Sequence, residues 1–395
     1  MGQTPRPEDP PMNSKQTKLE TRLIHAGEPQ PRILGAGIPP IFRSTVWEQV
    51  PDAGYHDILY PRLSNLPNHV VLGNKLAALE GAEAGLVTAS GMAAISASLL
   101  SLLGSGDHLL LQECLYGGTH GLLTHDLAPL GIEFDFVDAN DPASWKGKLR
   151  PNTRVFYSET LTNPLLELAD HEGIVSFSRE HALTSVIDST FASPANARPL
   201  EWGYDLVLHS CTKYLNGHSD VVAGCVVGSA EAVAAAKHKL DHFGGALDPQ
   251  AAYLLHRGIK TLALRVGQQN RSAQAIAEFL SAHPRVAHVR YPGLAAHPQH
   301  ERARQLLDGF GGMLSFELAG GNEAARQMIE RLEIALPSAS LGGVETLITQ
   351  PAATSHAGLS AEERARAGIA DGLVRFSTGI EATDDLIQDL TQALA

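Results

Sequence analysis

The stretch LTSVIDSTFASPANARPLEWGYDLVLHSCTKYLNGHSDVVAGCVVG (183–228) contains three short runs that are apolar on both faces: LTSVIDS (183–189), DLVLHS (205–210) and VAGCVVG (222–228). Each is too short for a helix of ordinary length. A run that is apolar on both faces suits a strand buried from both sides. Working outward, LVTAS (86–90), HLLLQ (108–112), IEFDFVD (132–138) and RVFYSE (154–159) read the same way. Helical patterns lie between them, as at 91–103 and 173–181. That alternation predicts an α/β domain with a mainly parallel sheet covered by helices on both faces.

Residues 229 to about 285 read as mostly helical, with AEAVAAAKHKL (230–240) and RSAQAIAEFL (271–280). Beyond Pro284, the runs MLSFEL (313–318) and GLVRFS (372–377) bracket helical stretches such as NEAARQMIERL (322–332). This predicts a smaller α+β domain. Four segments follow: a flexible tail at 1–20, an N-terminal assembly segment at 21–75, a large domain at 76–260 and a small C-terminal domain at 261–395. Within the second, residues 27–74 are rich in Pro and Gly and show no periodicity. A long irregular segment in a compact chain is often used in assembly or function.

The chain has 395 residues, enough for two or three domains, and 44% of them are hydrophobic. The net charge of −13 gives no electrostatic reason to hold nucleic acid or an anionic membrane. No apolar run reaches the roughly 20 residues of a membrane span. Three cysteines without a CxxC pair, and an N-terminus without a signal-peptide stretch, point to the cytoplasm. Eighteen histidines show no metal-binding spacing, so no metal is expected. There is no Walker A loop, and no G-x-G-x-x-G follows the first strand, which weighs against a nicotinamide dehydrogenase.

In open α/β sheets ligands bind at the carboxyl ends of the strands, so the chemistry is sought there. DLVLHS runs into Ser210-Cys211-Thr212-Lys213. Lys213 can form an imine with an aldehyde while its hydroxyl neighbours hold a phosphate; the alternative is a surface lysine in a loop. LTSVIDS presents Asp188, either the partner of a protonated pyridine nitrogen or a helix cap. LVTAS leads into Ser90-Gly91-Met92 at the start of an apolar helix. That start suits an anion, or is an ordinary cap. Tyr116, before Gly117-Gly118, is placed to lie over a flat ring or belongs to the core. Asn163, before Pro164, donates to a ring oxygen or simply makes a turn. Arg375, inside a strand-like run, needs an anion: a substrate carboxylate or a structural carboxylate. Lysine and aspartate on successive strand ends together point to pyridoxal 5'-phosphate (PLP) more specifically than either alone.

These residues fall in motifs: SGMAA (90–94), LYGGT (115–119), ETLTNP (159–164), VIDSTFASP (186–194), SCTKYLNGHSD (210–220), SLGGVETL (340–347) and VRFSTGIE (374–381). In this order they resemble the Cys/Met-metabolism PLP enzymes, the transsulfuration group, from about Thr21 to the C-terminus. The resemblance implies fold-type I of PLP enzymes, the aspartate-aminotransferase-like architecture. It implies that Lys213 holds PLP and then moves protons, that Asp188 pairs with the pyridine nitrogen, and that Tyr116 stacks on the ring. By the same resemblance, Gly91, Met92, Ser210 and Thr212 would bind the phosphate. Tyr60 and Arg62 would reach the phosphate of a neighbouring subunit's cofactor. Ser340, Asn163 and Arg375 would clamp the substrate carboxylate, and Ala339 would face the rest of the substrate. A homotetramer with shared active sites is implied.

The sequence departs from the usual motifs in places. Asp188-Ser189-Thr190 replaces Asp-Asn-Thr, and Asn65-Leu66-Pro67-Asn68 replaces the usual Asn-Pro-Thr. Ala339 stands where cystathionine γ-lyases and γ-synthases tend to carry Glu, and Gly117 where methionine γ-lyases tend to carry Cys. The segment 351–356 reads PAATSH. The expected activity is γ-elimination on a γ-substituted amino acid, with γ-replacement or β-elimination as alternatives.

Overall fold

The structure, a computed structural model, describes residues 17–48, 54 and 58–395. Most of the expected tail, and parts of the 27–74 segment, lie outside those residues.

Seven strands form the larger sheet: β1 (Ala84–Thr88), β2 (His108–Gln112), β3 (Glu133–Val137), β4 (Thr153–Glu159), β5 (Thr184–Asp188), β6 (Leu206–His209) and β7 (Gly224–Gly228). Their order is β1-β7-β6-β5-β4-β2-β3. β7 runs antiparallel to both of its neighbours; the other pairings are parallel. Every residue of β2, β6 and β7 is buried, which explains their unbroken apolar sequences.

Both faces of this sheet are covered. On one side, Ala94, Ile95 and Leu99 of the helix Gly91–Leu102 pack with Val233 and Leu240 against Leu109, Val186, Leu208 and Val226. On the other, Leu72, Leu76 and Leu79 of the helix Pro67–Glu80 join Ile174 and Phe177 over Phe156, Ile187 and Val207. In chain order the first three helices are α1 (Leu19–His25), α2 (Pro67–Glu80) and α3 (Gly91–Leu102). α2 runs across the expected limit at residue 75 and begins inside the stretch read as irregular. Ten of its fourteen residues are buried, among them Asn68, His69 and Lys75. A helix enclosed on nearly all sides carries no apolar stripe, so the sequence shows no period.

A second sheet contains β8 (Val286–Arg290), β9 (Met313–Leu318), β10 (Leu336–Pro337), β11 (Leu347–Thr349) and β12 (Leu373–Ser377), in the order β10-β11-β12-β9-β8. The helix Leu262–Ser281 contributes Val266, Ile276 and Leu280 to an apolar cluster that also takes in Phe316, Ile348 and Phe376 of the second sheet. That cluster is continuous with one face of the large sheet. The fixed relation between the sheets matters because the candidate site draws residues from both. No described helix is long and apolar enough to cross a membrane.

Candidate active site

The carboxyl ends of β4, β5 and β6 open into a cavity of ≈ 650 Å³. Lys213, Asp188, Tyr116, Asn163, Gly91, Met92, Ser210, Thr212, Ala339 and Arg375 all line it. Ser340 joins them by accepting a hydrogen bond from Lys213 Nζ at 2.9 Å. Residues as far apart in sequence as Gly91 and Arg375 are thus collected at one place.

The lysine is unusual for its type. Burial, then the positive charge of Arg375, lower its pKa from the ordinary 10.5 to about 8. An amine in that state is a usable nucleophile and base near neutral pH.

Asp188 ends β5. Its Oδ1 accepts from the Thr190 N–H at 2.9 Å. Burial holds the carboxyl above its ordinary value, opposed by the Thr190 hydrogen bonds and by His209. Burial resists charging His209 as well. Even so, Glu80 Oε1 lies 2.6 Å from its Nε2 and carries the imidazole pKa up to about 9. Among the described residues Asp188 has no ion-pair partner.

α3 starts at the cavity. Ser90 caps it by accepting from the Ala93 N–H at 3.0 Å. The N–H groups of Gly91 and Met92 take no partner among the described residues, as expected for a helix first turn. A Cβ at Gly91 would sit 2.8 Å from the Cβ of Ser210, so only glycine lets α3 approach the Ser210 loop this closely. Thr212 Oγ1 donates to the Ala223 carbonyl at 3.2 Å and accepts its N–H at 3.0 Å, which ties this loop to the entry of β7. The result is a small cradle of main-chain N–H groups and the Ser210 hydroxyl at a helix N-terminus, suited to a phosphate.

Tyr116 stands over the same region. A Cβ at Gly118 would meet its ring at 2.4 Å and Met92 Sδ at 3.1 Å, so glycine leaves room for the ring to lie there. Arg375, on β12, is only 2% exposed. It donates through Nη1 to Asn163 Oδ1 at 3.1 Å and through Nη2 to the carbonyls of Ala339 and Ser340 at 2.7 and 3.1 Å. Burial lowers its pKa to about 10, and no carboxylate pairs with it among the described residues. A buried guanidinium with only neutral partners is a ready site for an anion. With its carbonyl engaged by Arg375, the Asn163 amide has its Nδ2 end left to donate.

The cofactor named by these groups fits the observations: an orphaned first-turn cradle for its phosphate, an unpaired half-buried carboxylate for its ring nitrogen and a neutralisable lysine for its aldehyde. Tyr60 and Arg62 are not brought to this cavity. Tyr60 is 39% exposed. Arg62 Nη1 donates to the Asp241 carbonyl at 2.7 Å, and its Cζ lies 5.6 Å over the Tyr60 ring. One cavity residue, Glu159, received no role in the sequence reading, although it sits in ETLTNP. Its visible signal is an acid closing an apolar strand level with Asp188.

Residues 20–395 match the family described as Cys/Met metabolism PLP-dependent enzyme. The chain belongs to that family, and its cofactor is pyridoxal 5'-phosphate. It is 42% identical to an L-methionine gamma-lyase of Fusobacterium nucleatum subsp. polymorphum, over 97% of this chain and 99% of that protein. A cystathionine beta-lyase of Lactococcus lactis subsp. cremoris is 41% identical, covering 96% and 99%. Among solved structures, a cystathionine gamma synthase of Xanthomonas oryzae pv. oryzae, in complex with aminoacrylate and cysteine, superposes with a TM-score of 0.92 at 39% identity, covering 96% and 98%. Near-equal identity to a γ-lyase, a β-lyase and a γ-synthase means that overall similarity does not choose the reaction.

Proposed function

We propose that the chain is a carbon-sulfur lyase that eliminates the γ-substituent of an amino acid, releasing a 2-oxoacid and ammonia. The observation that carries this reading is the pairing, in one cavity, of the neutralisable Lys213 with the unpaired Arg375. In this reading Arg375, with Asn163 and Ser340, holds the substrate carboxylate. That grip places the α-carbon beside Lys213 Nζ, which Ser340 orients. Bound PLP supplies an electron sink for the charge left when the α proton departs. Lys213 takes that proton and shuttles protons between the α, β and γ carbons, and Tyr116 assists the leaving group. Gly91, Met92, Ser210 and Thr212 hold the phosphate, and Asp188 the ring nitrogen.

Elimination at the γ position is favoured by the wall of the cavity. Ala339 and Leu341 stand where β-lyases tend to carry an aromatic residue and Trp. Ala339 offers no hydrogen bond to a distal ammonium, so discrimination among γ-substituents rests on shape. One methylene in such a pocket is worth only about 1–3 kcal/mol. Several γ-substituted amino acids are therefore expected as substrates. Cystathionine should yield mainly 2-oxobutanoate, and Ala339→Glu should raise the preference for it over shorter substrates. Chromatographic identification of the oxoacid decides the matter. Pyruvate as the main product would replace the γ reading with β-elimination, and capture by an added thiol in place of release would make the enzyme a synthase.

We further propose a cytoplasmic homotetramer, in keeping with three cysteines that are all buried and unpaired. In it, Tyr60 and Arg62 complete the site of a neighbouring subunit; their distance from this chain's own cavity supports that role. An Arg62→Ala chain mixed with a Lys213→Ala chain should recover activity. Random pairing makes half the dimers mixed, each with one intact site of two, so about a quarter of sites should work. No recovery, in mixtures demonstrated by mass spectrometry to exchange subunits, would mean that each chain holds a complete site.

A further inference from the structure

Glu159 and Asp188 are register partners on the parallel strands β4 and β5. Their side chains therefore leave the same face of the sheet at the same level. Both line the cavity, and Glu159 is 4% exposed. Its Oε1 accepts the Tyr116 N–H at 2.6 Å, and the Asn163 N–H faces the same carboxyl. Its own N–H donates to Gln112 Oε1 at 3.0 Å, and Gln112 in turn donates to the Cys114 carbonyl at 2.8 Å. One acid thus ties together the loop that carries Tyr116 and the loop that carries Asn163.

We propose that Glu159 is a positioning residue that works as a neutral carboxylic acid: it clamps the main chain of Tyr116 and Asn163, and leaves Asp188 as the only negative charge beneath the cofactor ring. Two buried carboxyls side by side cannot both ionise cheaply; one keeps its proton. No arginine or lysine pairs with Glu159 among the described residues. The other ionisable neighbours that bear on it, Tyr157 and Cys114, are buried and electrically neutral near pH 7. Burial first, then Asp188, push the Glu159 carboxyl well above its ordinary value, against the two N–H contacts. Asp188 is the member that gains a cation from the ring nitrogen, so the charge belongs there. This last step rests on the assignment of Asp188 given above.

The test is infrared difference spectroscopy of the PLP-loaded enzyme in D2O, without substrate, comparing the native chain with Glu159→Gln. The expected result is loss of a carboxylic-acid C=O band. Loss of a carboxylate stretch instead would overturn the proposal. Glu159→Ala should lower kcat by roughly ten- to a hundredfold, because two N–H groups lose their acceptor. Glu159→Gln keeps that acceptor without a charge and should rescue most of the loss. A Gln variant as impaired as the Ala variant would mean that the site needs an ionised Glu159. The infrared band is read without turnover, so its outcome stands apart from that of the lyase reading, which fails if no cofactor attaches at Lys213 or if the oxoacid product is absent.

Discussion

Lys213→Ala should leave a folded chain that neither attaches PLP covalently nor turns over any amino acid. In the proposed reading the side chain has two separate tasks, and alanine performs neither. As a free amine it reaches the cofactor aldehyde, and its environment is built to make that amine available. Near pH 7 roughly a tenth of an amine with a pKa of about 8 is free base, against fewer than one in a thousand at the ordinary value of 10.5. As a base it moves the substrate's protons, a task worth on the order of 10²–10⁴-fold in rate by itself. Among the described residues its Nζ has one hydrogen bond, to Ser340 Oγ, so removal strands little of the fold. The measurement pairs the visible absorbance of the attached cofactor with oxoacid release, and the far-ultraviolet circular dichroism of the variant should match that of the native chain. A variant that kept both the absorbance and the turnover would end the assignment of this cavity. Arg375 is part of the same device. Its charge helps to lower the lysine, so an anion bound at Arg375 should partly relieve that effect and make Lys213 a stronger base once substrate is seated.

Much of this arrangement was legible in the sequence because the groups proposed to hold the cofactor sit where strands end. Asp188 and Ser210 close apolar runs that read as strands, Lys213 follows one, and Gly91 follows a Ser at the start of an apolar helix. What escaped was short, or enclosed on several sides. β10 and β11 have two and three residues, too few to display a period of two. β8 is an edge strand with no buried residue, and no apolar run marks it. α2 escaped for the opposite reason, its burial on nearly all sides. The reversal of β7 is invisible locally, because a fully buried strand reads the same in either direction. The Lys213–Ser340 contact joins positions 127 apart, and no local pattern announces it. Glu159 was legible in type but not in role, since its meaning comes from the register that sets it beside Asp188. Tyr60 and Arg62 show a limit of a different kind: the role proposed for them needs a second chain, and one chain's sequence does not display how two chains meet.

Arg375→Ala should lower kcat/KM for α-amino acid substrates by roughly 30- to several thousandfold, the span of the 2–5 kcal/mol that a buried, hydrogen-bonded charge pair commands when one partner is cut away. The reason for so large an effect is the absence of any competing anion among the described residues. Arg375 is enclosed, its three hydrogen bonds go to neutral oxygens, and burial has already lowered its pKa to about 10. In the proposed reading a substrate carboxylate supplies the counter-charge that the guanidinium lacks, in a fork geometry that lysine does not reproduce, so Arg375→Lys should recover only part of the loss. Truncation also frees the Ala339 and Ser340 carbonyls, so a fall in rate alone would not separate substrate binding from a loosened wall. Comparing each substrate with its decarboxylated amine makes the separation. The native enzyme should discriminate strongly between the two, because the amine leaves Arg375 buried and unpaired. In Arg375→Ala that discrimination should collapse, since neither ligand then meets a guanidinium. The cofactor absorbance, assigned above to attachment at Lys213 and pairing with Asp188, should stay close to native. If the variant still prefers the carboxylate substrate by the native factor, the carboxylate is held elsewhere, and the orientation assigned to the α-carbon beside Lys213 falls with it.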